Sequence, residues 1–196
     1  MTYCMVIDLK RCVGCHACSI ACKAENGTPP GITRSKVMKK EVGKYPDVRR
    51  MNIPLLCMQC EEPACVEVCP TGATIKGANG IVTINKEICI GCKACITACP
   101  YGARYFRDSE IGYFGTELTP FEKVKYAGQP KGVVDKCDFC QETRLAKGLE
   151  PACVQTCITK ARVFGTKEEM QELIIQRNGY RLRPDLGTGP SVYYLP

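Results

Sequence analysis

Residues 89–100 read CIGCKACITACP. Three cysteines follow one another at intervals of three residues, a fourth comes four residues later, and a proline follows it. This spacing allows one tight loop to direct three sulfur atoms at a single centre, while the fourth sulfur sits on the segment that leaves the loop. The run therefore supplies thiols as ligands for a metal centre rather than as partners for disulfides.

The same run recurs at residues 12–22, and sixteen of the chain's seventeen cysteines fall into four groups of four. The groups are Cys12, Cys15, Cys18 and Cys22; Cys57, Cys60, Cys65 and Cys69; Cys89, Cys92, Cys95 and Cys99; and Cys137, Cys140, Cys153 and Cys157. Bacterial ferredoxins use C-x2-C-x2-C-x3-C runs to bind [4Fe–4S] clusters, each held by four thiolates. The sequence therefore predicts four [4Fe–4S] clusters, a number that indicates electron transfer.

Three other uses of cysteine fit the sequence less well. Disulfide scaffolds are typical of short secreted chains, whereas this chain has 196 residues and an odd number of cysteines. Structural zinc sites use two separate C-x2-C pairs for each metal ion. Residues 12–16, CVGCH, match the haem-attachment motif, but a haem there would leave Cys18 and Cys22 without a cluster. Iron–sulfur ligation is therefore the preferred interpretation.

The formal net charge of +7 would by itself favour a nucleic acid or a membrane surface as the partner. An oxidised cubane core carries about +2 and its four thiolates −4, so each occupied site adds about −2. Four such sites bring the loaded protein to about −1. The basic residues are therefore expected to balance cluster charge, and no nucleic-acid partner is expected.

The fourth cysteine of a ferredoxin run ligates the other cluster of its pair. Groups two and three are neighbours and each ends in Cys-Pro, so they exchange their last cysteines. Groups one and four exchange theirs by the same rule, although no proline follows Cys22 or Cys157. The predicted ligand sets are Cys12, Cys15, Cys18 and Cys157 (cluster 1); Cys57, Cys60, Cys65 and Cys99 (cluster 2); Cys89, Cys92, Cys95 and Cys69 (cluster 3); and Cys137, Cys140, Cys153 and Cys22 (cluster 4).

These pairings predict an α+β fold of two pseudo-symmetric bacterial ferredoxin-like modules, with short strands, short helices and much loop. One module spans residues 53–106. The other is discontinuous, comprises residues 1–52 and 130–166, and wraps around the first. Strands are expected at residues 3–8, 74–76, 81–84 and 161–165.

Three further segments lie outside this pattern. Residues 24–52 are expected to be a solvated surface loop. Residues 107–129 form an insertion in an aromatic-rich stretch, which favours an ordered segment that either covers its own module or docks a partner. Residues 167–196 are expected to form a helix that begins with a T-x-x-E capping box, followed by an extended tail suited to docking along another subunit.

Two residues that could bind metal remain outside the ligand sets. Cys4 lies in an alternating strand and is predicted to be a small buried side chain. His16 is the only histidine and is expected to be a loop residue beside a cluster, with tuning of that cluster's potential as the alternative role.

The sequence contains no catalytic constellation: it has no P-loop, no G-x-S-x-G and no dinucleotide-binding glycine motif. No catalytic residue is predicted, and the chain is expected to carry electrons for chemistry performed elsewhere. It also has no run of 18 apolar residues and no visible secretory signal. Direct membrane insertion is therefore not expected.

The pattern resembles the four-cluster iron–sulfur (beta) subunit of the dimethyl sulfoxide reductase superfamily of molybdenum or tungsten bis-pterin oxidoreductases. The likeness covers nearly the whole chain, although relatives usually have a proline in place of Ile158. It is carried by MVID at residues 5–8, CVGC at 12–15, ACK at 21–23, CMQC at 57–60, PAC at 63–65, CPTGA at 69–73, CPYG at 99–102, KCDFC at 136–140, PAC at 151–153, RPDLGTGP at 183–190 and YY at 193–194.

The resemblance implies an iron–sulfur subunit that relays electrons in anaerobic respiration. Its partner would be a large catalytic subunit that holds the pterin metal, often joined by a membrane subunit that reacts with quinone. Such complexes are exported folded with the catalytic subunit to the periplasmic side of the membrane, although cytoplasmic relatives exist. The short length of the chain and its tail are most similar to those of subunits that serve arsenate, polysulfide or thiosulfate reduction. A complex that hydroxylates aromatic rings is an alternative.

Two other functions compete with this interpretation. One is a free-standing cytoplasmic polyferredoxin that shuttles electrons among several enzymes. The other is an interaction module stabilised by zinc. Co-purification with a partner at fixed stoichiometry would favour a subunit over the free polyferredoxin. Zinc in place of iron would identify the interaction module.

Overall fold

Short helices and strands are distributed along the chain and joined by long connections. The computed structural model describes all 196 residues. The strands are β1 (Tyr3–Asp8), β2 (Lys36–Lys44), β3 (Asp47–Leu55), β4 (Thr74–Lys76), β5 (Val82–Ile84), β6 (Arg104–Phe106), β7 (Val134–Lys136), β8 (Arg162–Thr166), β9 (Tyr180–Arg181) and β10 (Val192–Leu195). The α-helices are α1 (Ala17–Asn26), α2 (Ala64–Glu67), α3 (Ala94–Thr97), α4 (Pro120–Tyr126), α5 (Ala152–Gln155) and α6 (Lys167–Gln176). The fold is a small α+β structure, as predicted.

A four-stranded sheet in the order β8-β1-β10-β9 joins the two ends of the chain. Strand β1 pairs antiparallel with β8 and parallel with β10, where Met5 lies opposite Val192. Five of the six residues of β1 are buried, which suits a strand with a neighbour on each side. The end of the tail, which was predicted to suit docking on another subunit, therefore pairs within its own chain at residues 192–195.

Two small two-stranded sheets follow cysteine groups two and three. Strand β4 pairs with β5, and β6 pairs with β7 across the segment that contains α4, each in an antiparallel ladder of three residues. The predicted strands at residues 3–8 and 74–76 have the observed bounds, while β5 and β8 each begin one residue later than predicted.

The expectation of a loop over residues 24–52 is wrong. Strands β2 and β3 form an antiparallel hairpin of nine residue pairs, and β3 crosses the predicted module boundary at residues 52–53. Most side chains on both faces of this hairpin are exposed. Its strands accordingly lack the alternation of apolar and polar residues by which a half-buried strand is predicted from sequence. Only its base is anchored, where Val37 and Pro54 are buried.

The insertion is ordered, as predicted, and covers part of its own molecule. Helix α4 begins with a capping box between Thr119 and Glu122. Glu122 also accepts a hydrogen bond from the backbone N–H of Tyr113 at 2.7 Å. The Lys125 ammonium donates to the carbonyl of Glu25 at 2.9 Å, which fixes the insertion to the end of α1.

The C-terminal helix has the predicted start and stop. Thr166 and Glu169 form the capping box of α6, and the helix ends before Asn178, which has a positive φ of 49°. Its partly buried side chains include Met170 and Ile174, and it packs on β1 and β8. None of the helices has the length and the run of apolar residues that crossing a bilayer requires.

One continuous apolar core extends through the molecule. It includes cysteines from groups one, two and four together with residues of β1 and β10. Phe139 and Met58 are almost completely buried within it. The cysteine loops therefore share one core rather than standing as separate lobes.

Candidate iron–sulfur centres

Groups one and three have the same local backbone conformation. Gly14 and Gly91 lie between the first two cysteines of their groups with φ of 69° and 67°. The following His16 and Lys93 also have positive φ, 62° and 63°, and each precedes a helix. A Cβ atom at Gly91 would lie 2.1 Å from the carbonyl oxygen of Gly132, so glycine is required there. These turns fold the first three cysteines of each group around a common centre.

Groups two and four use a second type of loop. Gln59 and Phe139 lie between the first two cysteines of these groups with φ of 47° and 55°. Pro63 and Pro151 then precede the one-turn helices α2 and α5, each of which carries the third cysteine. The sequence Pro-Ala-Cys thus starts the helix at the same point in both groups.

Three of the predicted ligand sets each surround one small cavity. The lining cysteines are Cys57, Cys60, Cys65 and Cys99 in the first cavity; Cys69, Cys89, Cys92 and Cys95 in the second; and Cys12, Cys15, Cys18 and Cys157 in the third. Each cavity is lined mainly by apolar side chains and contains four thiols, which matches the donors and the surroundings that a cubane cluster requires. Each cavity brings together three cysteines of one group and the last cysteine of another, which is the combination that the crossing rule predicts.

The fourth set is also brought together, around the side chain of Asn26. The Asn26 amide donates to Cys22 Sγ at 3.6 Å and to Cys140 Sγ at 3.7 Å. Cys153 lies close enough to both Cys22 and Cys140 for charge on one sulfur to affect the next. Cys22 and Cys153 likewise influence Cys137.

No three His, Cys, Asp or Glu side chains lie close enough together to hold a single metal ion. Three of the ligand sets each line one cavity with four thiols, a donor set that suits a polynuclear centre.

Backbone and hydroxyl groups donate to two of these sulfurs. The N–H of Thr74 donates to Cys69 Sγ at 3.4 Å, and the N–H of Ala161 donates to Cys157 Sγ at 3.3 Å. Burial alone would raise the pKa of Cys69, but the amide of Thr74 and the hydroxyl of Thr71 outweigh it and lower the pKa to about 7. Donors of this kind stabilise a thiolate, the form that binds iron.

The fourth set is the most deeply buried. Burial is the main cause that raises the pKa of Cys22, Cys137, Cys140 and Cys153. A buried thiol resists ionisation in the absence of a cation, so metal binding at this set must displace its protons.

A network of charged residues holds Asn26 in place. Arg34 donates from Nη1 to Asn26 Oδ1 at 2.9 Å and from Nε to Asp135 Oδ2 at 2.7 Å. Burial would lower the pKa of Arg34, but Asp135 and Asp138 raise it, so the guanidinium stays charged. Because Arg34 fixes the amide oxygen, the amide nitrogen of Asn26 faces the two sulfurs.

The second and fourth sets meet at the centre of the molecule. The buried Gln59 donates from Nε2 to the carbonyl of Cys137 at 2.8 Å and accepts from the N–H of Val82 at 2.8 Å. Burial, and then charge on cysteines of both sets (Cys22, Cys137, Cys99 and Cys57), raises the pKa of Tyr105 to about 12. Charge on Cys57 also contributes to the raised pKa of Cys137.

Two cysteines reach the surface, and they belong to different sets. Cys15 and Cys92 are exposed, whereas the other ligand candidates are buried or half-buried. Near Cys15, Val13 is 54% exposed and Ile158 is 74% exposed. Near Cys92, Ile90 is 66% exposed. Sets one and three therefore open to the surface beside apolar side chains.

Two residues outside the ligand sets have the environments that the sequence predicted. Cys4 is fully buried in β1, and its thiol faces the carbonyl of Thr166 at 3.7 Å. His16 lies in the loop that lines the cavity of Cys12, Cys15, Cys18 and Cys157. The CVGCH segment is therefore a loop around the first cavity.

Sequence reasoning missed two buried arginines. Arg104 lines the cavity of set two, and Arg162 lines the cavity of set one. The available signal was a repeat: Ala-Arg-x-Phe occurs at residues 103–106 and again at residues 161–164. Each copy begins four residues after the last cysteine of a group.

Comparison with protein families supports iron–sulfur chemistry along the whole cysteine pattern. A family described as a 4Fe-4S dicluster domain matches residues 48–114 and again residues 114–167. A second family, described as a 4Fe-4S binding domain, matches residues 9–26. The matched segments contain all four cysteine groups, and the prediction of several [4Fe–4S] clusters is confirmed.

Curated proteins of similar sequence are subunits of reductases. The chain is 45% identical to a selenate reductase subunit of Mesobacillus selenatarsenatis, over 97% of this chain and 70% of that subunit. It is 41% identical to the arsenate respiratory reductase iron–sulfur subunit of Shewanella sp. strain ANA-3, over 97% of this chain and 94% of that subunit. It is 37% identical to a polysulfide reductase subunit of Wolinella succinogenes, over 99% of this chain and 94% of that subunit.

Proposed function

The protein belongs to the iron–sulfur electron-transfer subunits of the dimethyl sulfoxide reductase superfamily, and from that premise we propose that it relays electrons through four [4Fe–4S] clusters held by the predicted ligand sets. It is not a catalyst on its own but one subunit of a reductase complex. Bound clusters supply one-electron redox chemistry. The chain's own residues supply the thiolate ligands and the hydrogen-bond donors to sulfur. They also exclude water from the sites and fix the order of the sites.

The observation that carries the proposal is the convergence of cysteines from different groups. Three cavities are each lined by a complete set of four thiols, and Asn26 donates to two cysteines of the fourth set, Cys22 and Cys140. Each set mixes cysteines of two groups, as in paired ferredoxin clusters. The related loop conformations of groups one and three, and of groups two and four, support two pseudo-symmetric modules, one formed by residues 53–106 and one by residues 1–52 and 130–166.

We propose the linear order of clusters 1, 4, 2 and 3. Clusters 1 and 4 are neighbours through Cys18 and Cys153, which are close enough to interact. Clusters 4 and 2 are neighbours through Cys137 and Cys57. Clusters 2 and 3 flank Arg104. The exposed cysteines Cys15 and Cys92 then lie at the two ends of the relay, where electrons can be exchanged with partners.

The β2–β3 hairpin supports a fixed partner at the cluster 1 end. Asn52 donates to the carbonyl of Cys12 at 3.0 Å, so the base of the hairpin borders this site. Its strands carry six Lys and Arg against one Asp and one Glu, and Tyr45 at its tip is 93% exposed. A two-stranded ribbon exposed on both faces is marginally stable alone. We expect it to bind an acidic surface of a partner subunit.

We propose that the partners are a large molybdenum or tungsten bis-pterin catalytic subunit and, at the other end of the relay, a membrane subunit that reacts with quinone. The selenate and arsenate reductase relatives favour an oxyanion as the terminal electron acceptor. Because the acceptor binds to the catalytic subunit, the sequence of that companion tests this assignment. A complex on the periplasmic side of the membrane is part of the proposal, and cell fractionation showing it in the cytoplasm would contradict that part.

The proposed function is tested by purifying the native complex anaerobically and reducing its clusters with dithionite. Addition of selenate or arsenate should restore the visible absorbance of the oxidised clusters only when the catalytic companion is present. The isolated chain is the control and should stay reduced. A soluble monomer that reduces several unrelated acceptor proteins would instead establish the free polyferredoxin.

A further inference from the structure

Two buried arginines occupy equivalent positions in the molecule. Arg104 follows Cys99 by five residues and begins β6, and Arg162 follows Cys157 by five residues and begins β8. Their side chains are 4% and 2% exposed. Each therefore buries a full positive charge immediately beyond the last cysteine of a group.

Neither arginine has an acidic partner. No carboxylate oxygen lies within 4.0 Å of either guanidinium. Arg104 donates from Nη1 to Thr74 Oγ1 at 3.2 Å, while its buried Nη2 has no partner. Arg162 donates from Nη2 to Ser35 Oγ at 2.9 Å, and its Nη1 faces Met5 Sδ at 3.9 Å. A buried cation without a compensating anion is strongly destabilising, so an anion must be supplied from elsewhere.

The groups that face the two arginines are cysteine thiols from two ligand sets at once. Arg104 lines the cavity of set two, beside Cys65 and Cys57, and lies beside Cys95 of set three. Its hydrogen-bond partner Thr74 lines the cavity of set three. Arg162 lines the cavity of set one, beside Cys18, and lies beside Cys153 of set four.

The packing of the elements agrees with this placement. Helix α3, which carries Cys95, packs against β6, which begins with Arg104. Helix α5, which carries Cys153, packs in the same way against β8, which begins with Arg162.

We propose that Arg104 is the shared counter-cation of clusters 2 and 3, and that Arg162 is the shared counter-cation of clusters 1 and 4. The inference rests on the ligand sets of the proposed function. When one electron enters a cluster, the cluster and its four thiolates gain one negative charge, and no proton is taken up. A cation between two clusters stabilises the reduced form of each, so each arginine raises both potentials of its own pair.

Other buried arginines show why these two are distinct. Arg34 is neutralised by Asp135, to which it donates two hydrogen bonds. Arg107 is 5% exposed and also has no carboxylate partner, but it donates to the carbonyls of Ser109 and Gln129 and lines none of the cysteine cavities. Arg107 is therefore the matched control: an equally buried guanidinium away from the sulfur atoms.

The test compares Arg104→Gln, Arg162→Gln and Arg107→Gln in the complete complex, purified anaerobically and titrated with EPR detection of the individual clusters. Arg104→Gln should lower the potentials of clusters 2 and 3, with at least a tenfold fall in the ratio of reduced to oxidised cluster at a given potential, or about 59 mV. Arg162→Gln should shift clusters 1 and 4 in the same direction. Arg107→Gln should shift none of them.

Normal iron content with unchanged potentials, or an equal shift of all four clusters by either variant, would overturn the inference while leaving the relay intact. If a glutamine variant loses iron, the corresponding lysine variant tests whether the charge is what matters, because Lys retains the charge but not the guanidinium geometry. Recovery of iron content and of cluster potentials in Arg104→Lys and Arg162→Lys supports a charge role. A loss of iron in the lysine variant equal to that in the glutamine variant contradicts it. Fewer than four clusters in the wild type would instead overturn the proposed function.

Discussion

Asn26 lies outside the ligand sets but contacts two sulfur atoms of the proposed cluster 4. It ends α1, receives a hydrogen bond from Arg34 on its oxygen, and donates to Cys22 Sγ and Cys140 Sγ. Hydrogen bonds to cluster sulfur atoms raise the reduction potential, because they stabilise the extra negative charge. The rigid contact with Arg34 makes Asn26 a positioned donor rather than a mobile one.

We predict that Asn26→Leu lowers the potential of cluster 4 alone. If the two hydrogen bonds stabilise the reduced cluster over the oxidised one by about 1 kcal/mol, their loss lowers the potential of a one-electron couple by roughly 40 mV. EPR-monitored titration measures the shift. Asn85→Leu is the control, since Asn85 is exposed and its side chain accepts only from the N–H of Glu87. A shift of equal size in both variants, or none in Asn26→Leu, would refute the role of the amide.

At the residue scale, the cysteines could be assigned to ligand sets from sequence, because ligand spacing is local: one loop must direct three sulfurs at one centre. Asn26 could not be singled out in this way, because its contacts with Cys22 and Cys140 depend on how the chain folds. The Ala-Arg-x-Phe repeat marks Arg104 and Arg162, but the loops that face them are set by the topology and not by that local pattern.

Among the elements, the insertion depends on one capping box. Glu122 accepts from the N–H of Tyr113 and of Thr119, joining the start of α4 to the segment before it. These hydrogen bonds, led by that from Tyr113, lower the pKa of Glu122 below its usual value. The contribution of the carboxylate is therefore present above the usual pKa and is lost as the pH falls through the lowered one.

We predict that Glu122→Ala loosens residues 107–129 without loss of iron. Removing such a cap costs about 1 kcal/mol, so the amides of α4 should exchange roughly fivefold faster in hydrogen–deuterium exchange at neutral pH. Glu117→Ala is the control, because Glu117 is exposed. Unchanged exchange in Glu122→Ala would show that contacts with α1, rather than the cap, hold the insertion.

The last strand has a structural role that the sequence did not indicate. Tyr194 is fully buried in β10 and donates to the carbonyl of Pro54 at 2.8 Å. We predict that Tyr194→Ala destabilises the protein by about 3 kcal/mol and lowers the midpoint of thermal bleaching of the clusters by roughly 10 °C. Tyr45→Ala, at the exposed tip of the hairpin, should shift that midpoint by less than about 2 °C. Equal shifts would contradict the anchoring role of β10.

Two different causes explain what sequence reasoning missed among the elements. The β2–β3 hairpin is exposed on both faces, and its strands show no regular alternation of apolar and polar residues. Strand β10 was recognised as strand-like, but its partner β1 lies at the other end of the sequence. Pairing between chain ends is a property of topology that a local pattern does not contain.

At the scale of the whole molecule, the proposed order of the clusters places the four sites in series. We predict that Cys137→Ala removes cluster 4 and stops electron flow between clusters 1 and 3, while the signals of clusters 2 and 3 persist. Cys4→Ala is the matched control: Cys4 is buried but belongs to no ligand set, so iron content and electron flow should be retained. Normal substrate-driven reoxidation in Cys137→Ala would contradict the series order.

The most direct test of the account is the content of iron and acid-labile sulfide per chain after anaerobic purification. Four [4Fe–4S] clusters predict about sixteen of each, with about twelve in Cys137→Ala and about sixteen in Cys4→Ala. About eight irons in the wild type, or zinc in place of iron, would contradict the four-cluster relay.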